Sequence, residues 1–273
     1  MLNDIVHNAT VVRQLADQGA VFVKDLADVP IGSNLLFSAH GVPPTAWQQG
    51  RQRNLNILDA TCPLVEKVHI EARRFADEDR HIILIGERGH DEVTGTVGQA
   101  PERFSVVFNE ADVDALEIAD ESNVAYLTQT TLSVDDSNRV IAALRRRFPH
   151  IQGPPSDDIC YATQNRQAAM RELALKADLV LTVGDQNSAN SSRLASIAGE
   201  MGVSSHLIES AADIQRDWLE GVETVLITSG ASAPESLVRE VIDFLQSIEP
   251  CDVEEFEIVI EDVRFSLPVL LRH

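Results

Sequence analysis

Basic residues and long apolar runs are both scarce in this chain of 273 residues. Its 22 lysines and arginines stand against 43 aspartates and glutamates, which gives a formal net charge of −21. Such a charge disfavours a nucleic-acid partner and an anionic membrane surface. No apolar run approaches the roughly 18 residues that span a bilayer, and the N-terminus shows no basic flank followed by an apolar signal core. We therefore expect a cytoplasmic protein without a membrane or nucleic-acid partner.

Cysteines are few, and several common motifs are missing. Cys62, Cys160 and Cys251 are odd in number and widely separated, which disfavours a disulfide framework. A Cys-x-x-Cys zinc spacing does not occur. Neither a Gly-x-Gly-x-x-Gly fingerprint, a Walker sequence nor a Gly-x-Ser-x-Gly elbow is present, so dinucleotide, ATP and hydrolase functions lack motif support. We therefore expect the cysteines to be reduced thiols or metal ligands.

What the sequence does contain is a repeated alternation of β-rich apolar runs and helical patterns, the first of these runs being Ala20–Val23. This alternation predicts an α/β fold with parallel sheets. Breaks near Cys62 and at Gly153-Pro154-Pro155-Ser156 divide it into three small units. We expect units at residues 1–61, 62–157 and 158–250, followed by an acidic tail at 251–273.

Most of the apolar runs end in a short polar cluster that opens a helical pattern. In open parallel sheets these strand-to-helix loops meet at one edge, so side chains distant in sequence can share a crevice. The clusters read Ser38-Ala39-His40-Gly41, Asp59-Ala60-Thr61-Cys62-Pro63, Gly89-His90-Asp91-Glu92, Thr128-Gln129-Thr130-Thr131, Asn187-Ser188-Ala189-Asn190 and Thr228-Ser229-Gly230-Ala231-Ser232. These residue types suit an anionic ligand, proton transfer and a metal held by thiolates.

Cys62 and Cys160 share one sequence context. Cys62 precedes Pro63, a favourable first residue of a helix, and Cys160 stands in a comparable position before a helical pattern. The positive end of a helix dipole stabilises a thiolate, the form that binds metals. A single cysteine is more often a buried structural thiol. The shared context of these two favours the ligand interpretation.

Three histidines and several hydroxyl and amide side chains occupy similar loops. They can form a nest of donors for phosphate oxygens, although a lone histidine after a strand is most often structural. The set consists of His7, His40, His90, Ser188, Asn190, Ser232 and Thr130. Glu92 can act as a proton donor if burial raises its pKa, with Thr130 passing or orienting the proton. The alternative for Glu92 is a carboxylate that stabilises a helix start.

Assembled, these residues resemble the 4-hydroxy-3-methylbut-2-enyl diphosphate reductase family. The order and spacing of the motifs agree over nearly the whole chain. The matching segments are Ile5-Val6-His7-Asn8, Phe37-Ser38-Ala39-His40-Gly41-Val42, Asp59-Ala60-Thr61-Cys62-Pro63-Leu64-Val65, Gly89-His90 with Glu92, Thr128-Gln129-Thr130-Thr131-Leu132-Ser133, Asp158-Ile159-Cys160-Tyr161-Ala162-Thr163 and Gly230-Ala231-Ser232-Ala233-Pro234.

The resemblance implies three α/β units arranged around a central 4Fe-4S cluster, with Cys62 and Cys160 as two of its ligands. It implies that His7, His40, His90, Ser188, Asn190 and Ser232 hold the diphosphate of an allylic substrate. Glu92 would deliver protons with the help of Thr130. The implied reaction is reductive removal of the allylic hydroxyl, giving isopentenyl and dimethylallyl diphosphates, with electrons from a ferredoxin or flavodoxin.

The chain departs from the family pattern in two places. An opening strand and helix with a Gly-Phe-Cys-Ala-Gly segment do not occur in it, so we expect an incomplete first unit, a missing third cysteine ligand and impaired turnover. Substitution by Cys251 is disfavoured, because metal sites demand strict geometry. Ala189 replaces a serine that is usual in the family, at a cost of about 0.5–1.5 kcal/mol if one hydrogen bond is lost. The alternative is a degenerate, non-redox paralogue that binds diphosphates or a protein partner.

Overall fold

A computed structural model describes residues 1–266 of the chain. These residues form three parallel β-sheets whose strands are separated along the sequence by helices, which confirms the predicted α/β class. Within the described residues, no helix combines the length and the hydrophobicity needed to cross a membrane.

Eight strands and nine α-helices are assigned over the described range, together with short 3-10 turns. The strands are β1 Asn34–Phe37, β2 Asn56–Asp59, β3 His81–Ile85, β4 Phe104–Val107, β5 Val124–Thr128, β6 Leu179–Val183, β7 Ser204–Ile208 and β8 Val225–Ser229. The helices are α1 Ala9–Asp17, α2 Pro44–Gln52, α3 Pro63–Asp77, α4 Asp91–Val97, α5 Glu110–Asp114, α6 Val134–Arg147, α7 Tyr161–Leu173, α8 Ala189–Glu200 and α9 Glu235–Ile248.

The strand order places one buried strand at the centre of each larger sheet. The orders are β4-β3-β5 and β7-β6-β8, with every neighbouring pair parallel. The central strands β3 and β6 are apolar over almost their whole length, which is typical of parallel strands covered on both faces. Since all strands of a sheet run the same way, their carboxyl ends and the following loops lie at one edge.

The first sheet contains only β1 and β2 among the described residues. The predicted strand at Ala20–Val23 was wrong, because only Val23 forms a bridge, to Leu2. Val21, in the middle of that run, is 71% exposed, so its side chain buries little apolar surface against the sheet. Leu2 also bridges Phe37 at the end of β1, so a single residue, rather than a third strand, lies beside this sheet.

The chain separates into two compact units. The first comprises Met1–Val6, Leu15–Cys160 and residues 264–266, and the second comprises His7–Gln14 and Tyr161–Val263. The first unit holds the β1-β2 and β4-β3-β5 sheets, and the second holds the β7-β6-β8 sheet. The fourfold division at 61/62, 157/158 and 250/251 stays a prediction. The tail from 251 to 266 is irregular and almost entirely exposed, and residues 267–273 of it lie outside the described range.

Candidate functional site

Two of the predicted histidines lie together in the first unit. The rings of His40 and His90 meet edge to face, with centroids 5.6 Å apart and an interplanar angle of 88°. His40 follows β1, and His90 precedes α4. The Nδ1 atom of His90 accepts a hydrogen bond from the backbone N–H of Glu92 at 3.1 Å. A neutral His90 therefore carries its proton on Nε2.

The turn that contains His40 depends on the glycine after it. Gly41 has a φ of +76°, and a Cβ there would lie 2.6 Å from Cε1 of His69. His69 is only 3% exposed, and burial lowers its pKa to about 4. A neutral imidazole thus packs directly behind the turn. This agrees with a structural role for His69.

Cys62 lies at the amino end of α3, beside the His40 turn. Its backbone N–H donates to the carbonyl of Ala39 at 3.0 Å, so the loops after β1 and β2 are joined. Burial raises the pKa of the Cys62 thiol, against the opposing effect of the N–H groups of Leu64 and Val65. Those N–H groups are the helix-start donors that favour a thiolate.

Cys160 immediately precedes α7, and its N–H donates to the carbonyl of Thr130 at 2.8 Å. The charge of its thiolate raises the pKa of Cys62, as does the charge of Glu92, so the three groups are electrostatic neighbours. Both thiols are free and half-buried. Two neighbouring reduced thiols, each at a helix start, are suitable ligands for an iron-sulfur cluster. Cys251 is exposed in the tail.

Glu92 is buried against Thr130. The carboxylate is 3% exposed; Oε1 accepts the backbone N–H of Thr130 at 2.6 Å, and Oε2 accepts its hydroxyl at 3.0 Å. Burial raises the pKa of Glu92 to about 7, although both hydrogen bonds from Thr130 lower it. A carboxyl with this pKa holds and releases a proton near neutral pH.

A second buried carboxylate, Asp158, lies two residues before Cys160. Its Oδ2 accepts the backbone N–H of Thr128 at 3.1 Å, and its Oδ1 lies 3.2 Å from Nζ of Lys67. Burial raises the pKa of Asp158 to about 6, opposed by the N–H of Thr128 and by Lys67. Neither Asp158 nor Lys67 was predicted from the sequence as a site residue. The proximity of Asp158 to Cys160 was an available signal, whereas a lysine in the middle of a helix normally indicates a solvated face.

The remaining predicted residues lie in the second unit, near the carboxyl ends of β6 and β8. The hydroxyl of Ser232 donates to the carbonyl of His7 at 3.0 Å. Ser188 caps α8, its hydroxyl oxygen accepting the N–H of Ser191 at 3.3 Å. Asn190 is 3% exposed, and neither polar atom of its side chain has a hydrogen-bond partner in the described protein. An amide buried in this way at a helix start can bind a ligand oxygen.

The ten predicted site residues therefore form two groups, one in each compact unit. His40, Cys62, His90, Glu92, Thr130 and Cys160 belong to the first unit, and His7, Ser188, Asn190 and Ser232 belong to the second. The first group combines two thiols, two histidines and a buried acid. The second offers hydroxyl, amide and helix-start groups, and Ala189 contributes no hydroxyl there.

Known proteins resemble the chain over nearly its whole length. The family model described as "LytB protein" matches residues 1–246. A protein of Leifsonia xyli subsp. xyli named 4-hydroxy-3-methylbut-2-enyl diphosphate reductase is 51% identical over 269 residues, which are 98% of this chain and 80% of that protein. A relative of the same name from Rhodopirellula baltica is 52% identical, with 99% and 85% covered.

Solved structures agree with these relatives. A reductase from Plasmodium falciparum, described as acting on E-1-hydroxy-2-methyl-but-2-enyl-4-diphosphate, superposes with a TM-score of 0.93 at 37% identity. The match covers 97% of this chain and 84% of that one. By sequence and by structure, the chain belongs to the LytB protein family.

Proposed function

We propose that the protein reduces 4-hydroxy-3-methylbut-2-enyl diphosphate to isopentenyl and dimethylallyl diphosphates. The reaction takes up two electrons and two protons, breaks the allylic C–O bond and releases water. The observation that supports this most strongly is the pair of neighbouring thiols beside a buried, protonatable Glu92. The names of relatives about 50% identical to this chain point the same way.

Cys62 and Cys160 are proposed to hold an iron-sulfur cluster of the 4Fe-4S type. When bound, such a cluster supplies low-potential electrons and a Lewis-acidic iron. The N–H groups of Leu64 and Val65 favour the thiolate that ligation requires. Because Cys251 is exposed in the tail, the 273-residue chain offers two suitably placed thiolates, fewer than the three of the family pattern. We expect weak turnover from it, with electrons from a ferredoxin or flavodoxin.

Glu92 and Thr130 are proposed to deliver the proton. With the carboxylate ionised, the Thr130 hydroxyl donates to Oε2. Once Oε2 is protonated, the same hydroxyl can accept that proton and turn its own hydrogen toward the substrate. A pKa of about 7 makes both states accessible at neutral pH. Both residues are buried, with exposures of 3% and 4%, which limits the access of water as a competing proton source.

The diphosphate is proposed to be bound by His7, His40, His90, Ser188, Asn190 and Ser232. Asn190 provides a buried amide without a protein partner, and α8 adds its N-terminal N–H groups. The Nε2–H of His90 is a further donor, because its Nδ1 is already used as an acceptor. Imidazole, amide, hydroxyl and backbone N–H groups, rather than lysine side chains, would thus bind most of the negatively charged oxygens of the ligand.

The cysteine assignment is tested by anaerobic reconstitution and measurement of iron and sulfide per chain. Cys62→Ser and Cys160→Ser should each lose most of the bound iron, whereas Cys251→Ser, an exposed control, should keep it. Reduction of the substrate with a strong artificial donor should be weak for the 273-residue chain and should increase when a segment with Gly-Phe-Cys-Ala-Gly is added ahead of Met1. Full turnover without that segment would contradict the proposed impairment.

Ligand binding is tested separately with inorganic pyrophosphate and calorimetry. Asn190→Ala should weaken binding about tenfold, the effect of losing one hydrogen bond to a charged group. Ser192→Ala is the matched control, because that hydroxyl is exposed and donates to the carbonyl of Gln186. Pyrophosphate binding by a chain that retains no iron would support the non-redox alternative instead.

A further inference from the structure

Lys67 connects the neighbourhoods of the two cysteines. It lies on α3, the helix that begins immediately after Cys62. Its ammonium group donates to the carbonyls of Ser156 at 2.8 Å and Asp157 at 2.6 Å. Those carbonyls belong to the loop that leads into Cys160. One side chain therefore joins the helix after the first cysteine to the segment before the second, across about ninety residues of sequence.

Asp158, in the same segment, connects it to both Lys67 and β5. Its side chain is fully buried, with Oδ1 3.2 Å from the Lys67 ammonium and Oδ2 accepting the N–H of Thr128 at 3.1 Å. Thr128 is the last residue of β5. The N–H of Cys160 then donates to the carbonyl of Thr130 at 2.8 Å. The segment before Cys160 is thus fixed to α3 and to the end of β5.

This arrangement differs from the ordinary ion pairs of the same helix. Arg73 and Glu66 also pair on α3, 2.8 Å apart, but both side chains are 44% exposed. Exposed pairs of this kind contribute little to stability. Removing Asp158 from water carries a desolvation cost that a salt bridge often fails to recover, so such pairs are better explained by the geometry they fix. Here the fixed geometry includes the loops of both thiols.

We propose that Lys67 and Asp158 are positioning residues that set the separation of the Cys62 and Cys160 thiols. The proposal builds on the proposed function, in which both thiols serve one cluster. Neither residue ligates metal or contacts substrate in this proposal. Lys67 supplies the donors that hold the loop, and Asp158 supplies the charge and the acceptor that keep Lys67 and β5 in place.

The separation of the thiols can be measured without a cluster. In a Cys251→Ser background, the full chain is purified reduced and treated with dibromobimane, which becomes strongly fluorescent only when it bridges two nearby thiols. Lys67→Met should slow bridging about tenfold, because ring closure depends steeply on how the two groups are held. Reaction with monobromobimane, which needs one thiol, should change little.

Matched variants separate positioning from general damage. Arg73→Met removes an exposed pair from the same helix and should leave bridging unchanged. Lys67→Arg, which keeps a cation, should restore part of the rate. Asp158→Asn keeps the acceptor for the N–H of Thr128 but loses the charge, and should give an intermediate rate.

The outcomes decide the proposal clearly. Equal bridging rates for Lys67→Met and Arg73→Met would overturn it. If Lys67→Met loses its circular dichroism signal and does not fold, Lys67→Arg and Asp158→Asn give the answer, and unchanged bridging in both also overturns it. A chain that bridges as expected but never retains iron refutes the proposed cluster and leaves the positioning role intact.

Discussion

Glu92 and Thr130 are joined by two hydrogen bonds that use both carboxylate oxygens. The backbone N–H and the hydroxyl of Thr130 donate to Oε1 and Oε2, at 2.6 and 3.0 Å. Hydrogen bonds to the ionised form lower the pKa of a carboxyl, but burial raises it more, and the pKa of Glu92 reaches about 7. Ionisation of the buried Glu92 therefore lowers the stability of the folded protein.

This loss of stability on ionisation predicts how the effect of Glu92→Gln varies with pH. The pKa of Glu92 rises from 4.5 in the unfolded chain to about 7 in the folded one. Ionised Glu92 therefore destabilises the fold, with no penalty below pH 4.5, a growing penalty up to pH 7 and a constant one above. Relative to the natural chain, Glu92→Gln should gain up to about 3 kcal/mol at pH 8 and nothing near pH 4.

Thermal unfolding of the metal-free chain between pH 4 and pH 8 measures this difference. Glu87→Gln is the control, since Glu87 is exposed and lies five residues earlier. Its stability difference from the natural chain should not vary with pH. A constant difference for Glu92→Gln as well would show that Glu92 is not desolvated in the folded protein.

Thr130→Val should make Glu92 a weaker acid. The change removes the hydroxyl donor and leaves the backbone N–H bond to Oε1 in place. Losing one hydrogen bond to a charged group costs about 1.5–3 kcal/mol, so the acid should weaken at least tenfold and its pKa should rise above 7. Infrared absorption of the protonated carboxyl, followed against pH, reports this directly. Thr130→Ser keeps the hydroxyl and should titrate like the natural chain.

The buried parallel strands were predictable because continuous apolar runs of this length are typical of parallel strands covered on both faces. His81–Ile85 and Val124–Thr128 are continuous β-rich runs, and the structure has β3 and β5 at those bounds. Helix α2 is less evident from its sequence, which contains Gly50, a poor helix former. A Cβ at Gly50 would lie 2.7 Å from Cδ1 of Ile57, so close packing on β2, a tertiary property, requires the glycine.

In the site, too, some features follow from the local sequence and others depend on tertiary contacts. The cysteines, the histidines and Glu92 follow apolar runs, and that position marked them in the sequence. Helix α7 begins at Tyr161, immediately after the residue whose N–H donates to the carbonyl of Thr130. Local patterns contain no information about such long-range contacts. The contacts of Lys67 with residues 156–158 were unpredictable for the same reason.

Gly230→Ala should destabilise the second unit, and Ser191→Ala should relieve most of the damage. A Cβ at Gly230 would lie 2.0 Å from the Ser191 hydroxyl oxygen but 3.2 Å from its Cβ. Overpacking of this kind costs about 1–3 kcal/mol. At Gly184 the Ser191 Cβ itself would be 2.6 Å away, so Ser191→Ala should not rescue Gly184→Ala.

Urea unfolding of the single and double variants gives these coupling energies. Gly199→Ala is the control, because no atom lies within 4 Å of a Cβ there and the residue belongs to α8. It should stabilise the chain by about 0.5–1 kcal/mol through helix propensity. Equal rescue at Gly184 and Gly230 would show that the helix moves as a whole, contrary to the close packing described.

His69 should make the fold sensitive to mild acid. Burial lowers its pKa from 6.5 to about 4, so the folded state resists protonation that the unfolded chain accepts. Its contribution to stability is complete above pH 6.5 and is lost as the pH falls toward 4, by up to about 3 kcal/mol. His69→Asn removes this titration, so the stability of the variant should fall less over that range than the stability of the natural chain.

The measurement is the difference between the unfolding midpoints at pH 4.5 and pH 7. His150→Asn, at an exposed site, is the control and should follow the natural chain. An identical fall in His69→Asn and the natural chain would mean that the imidazole behind Gly41 is open to protonation in the folded protein.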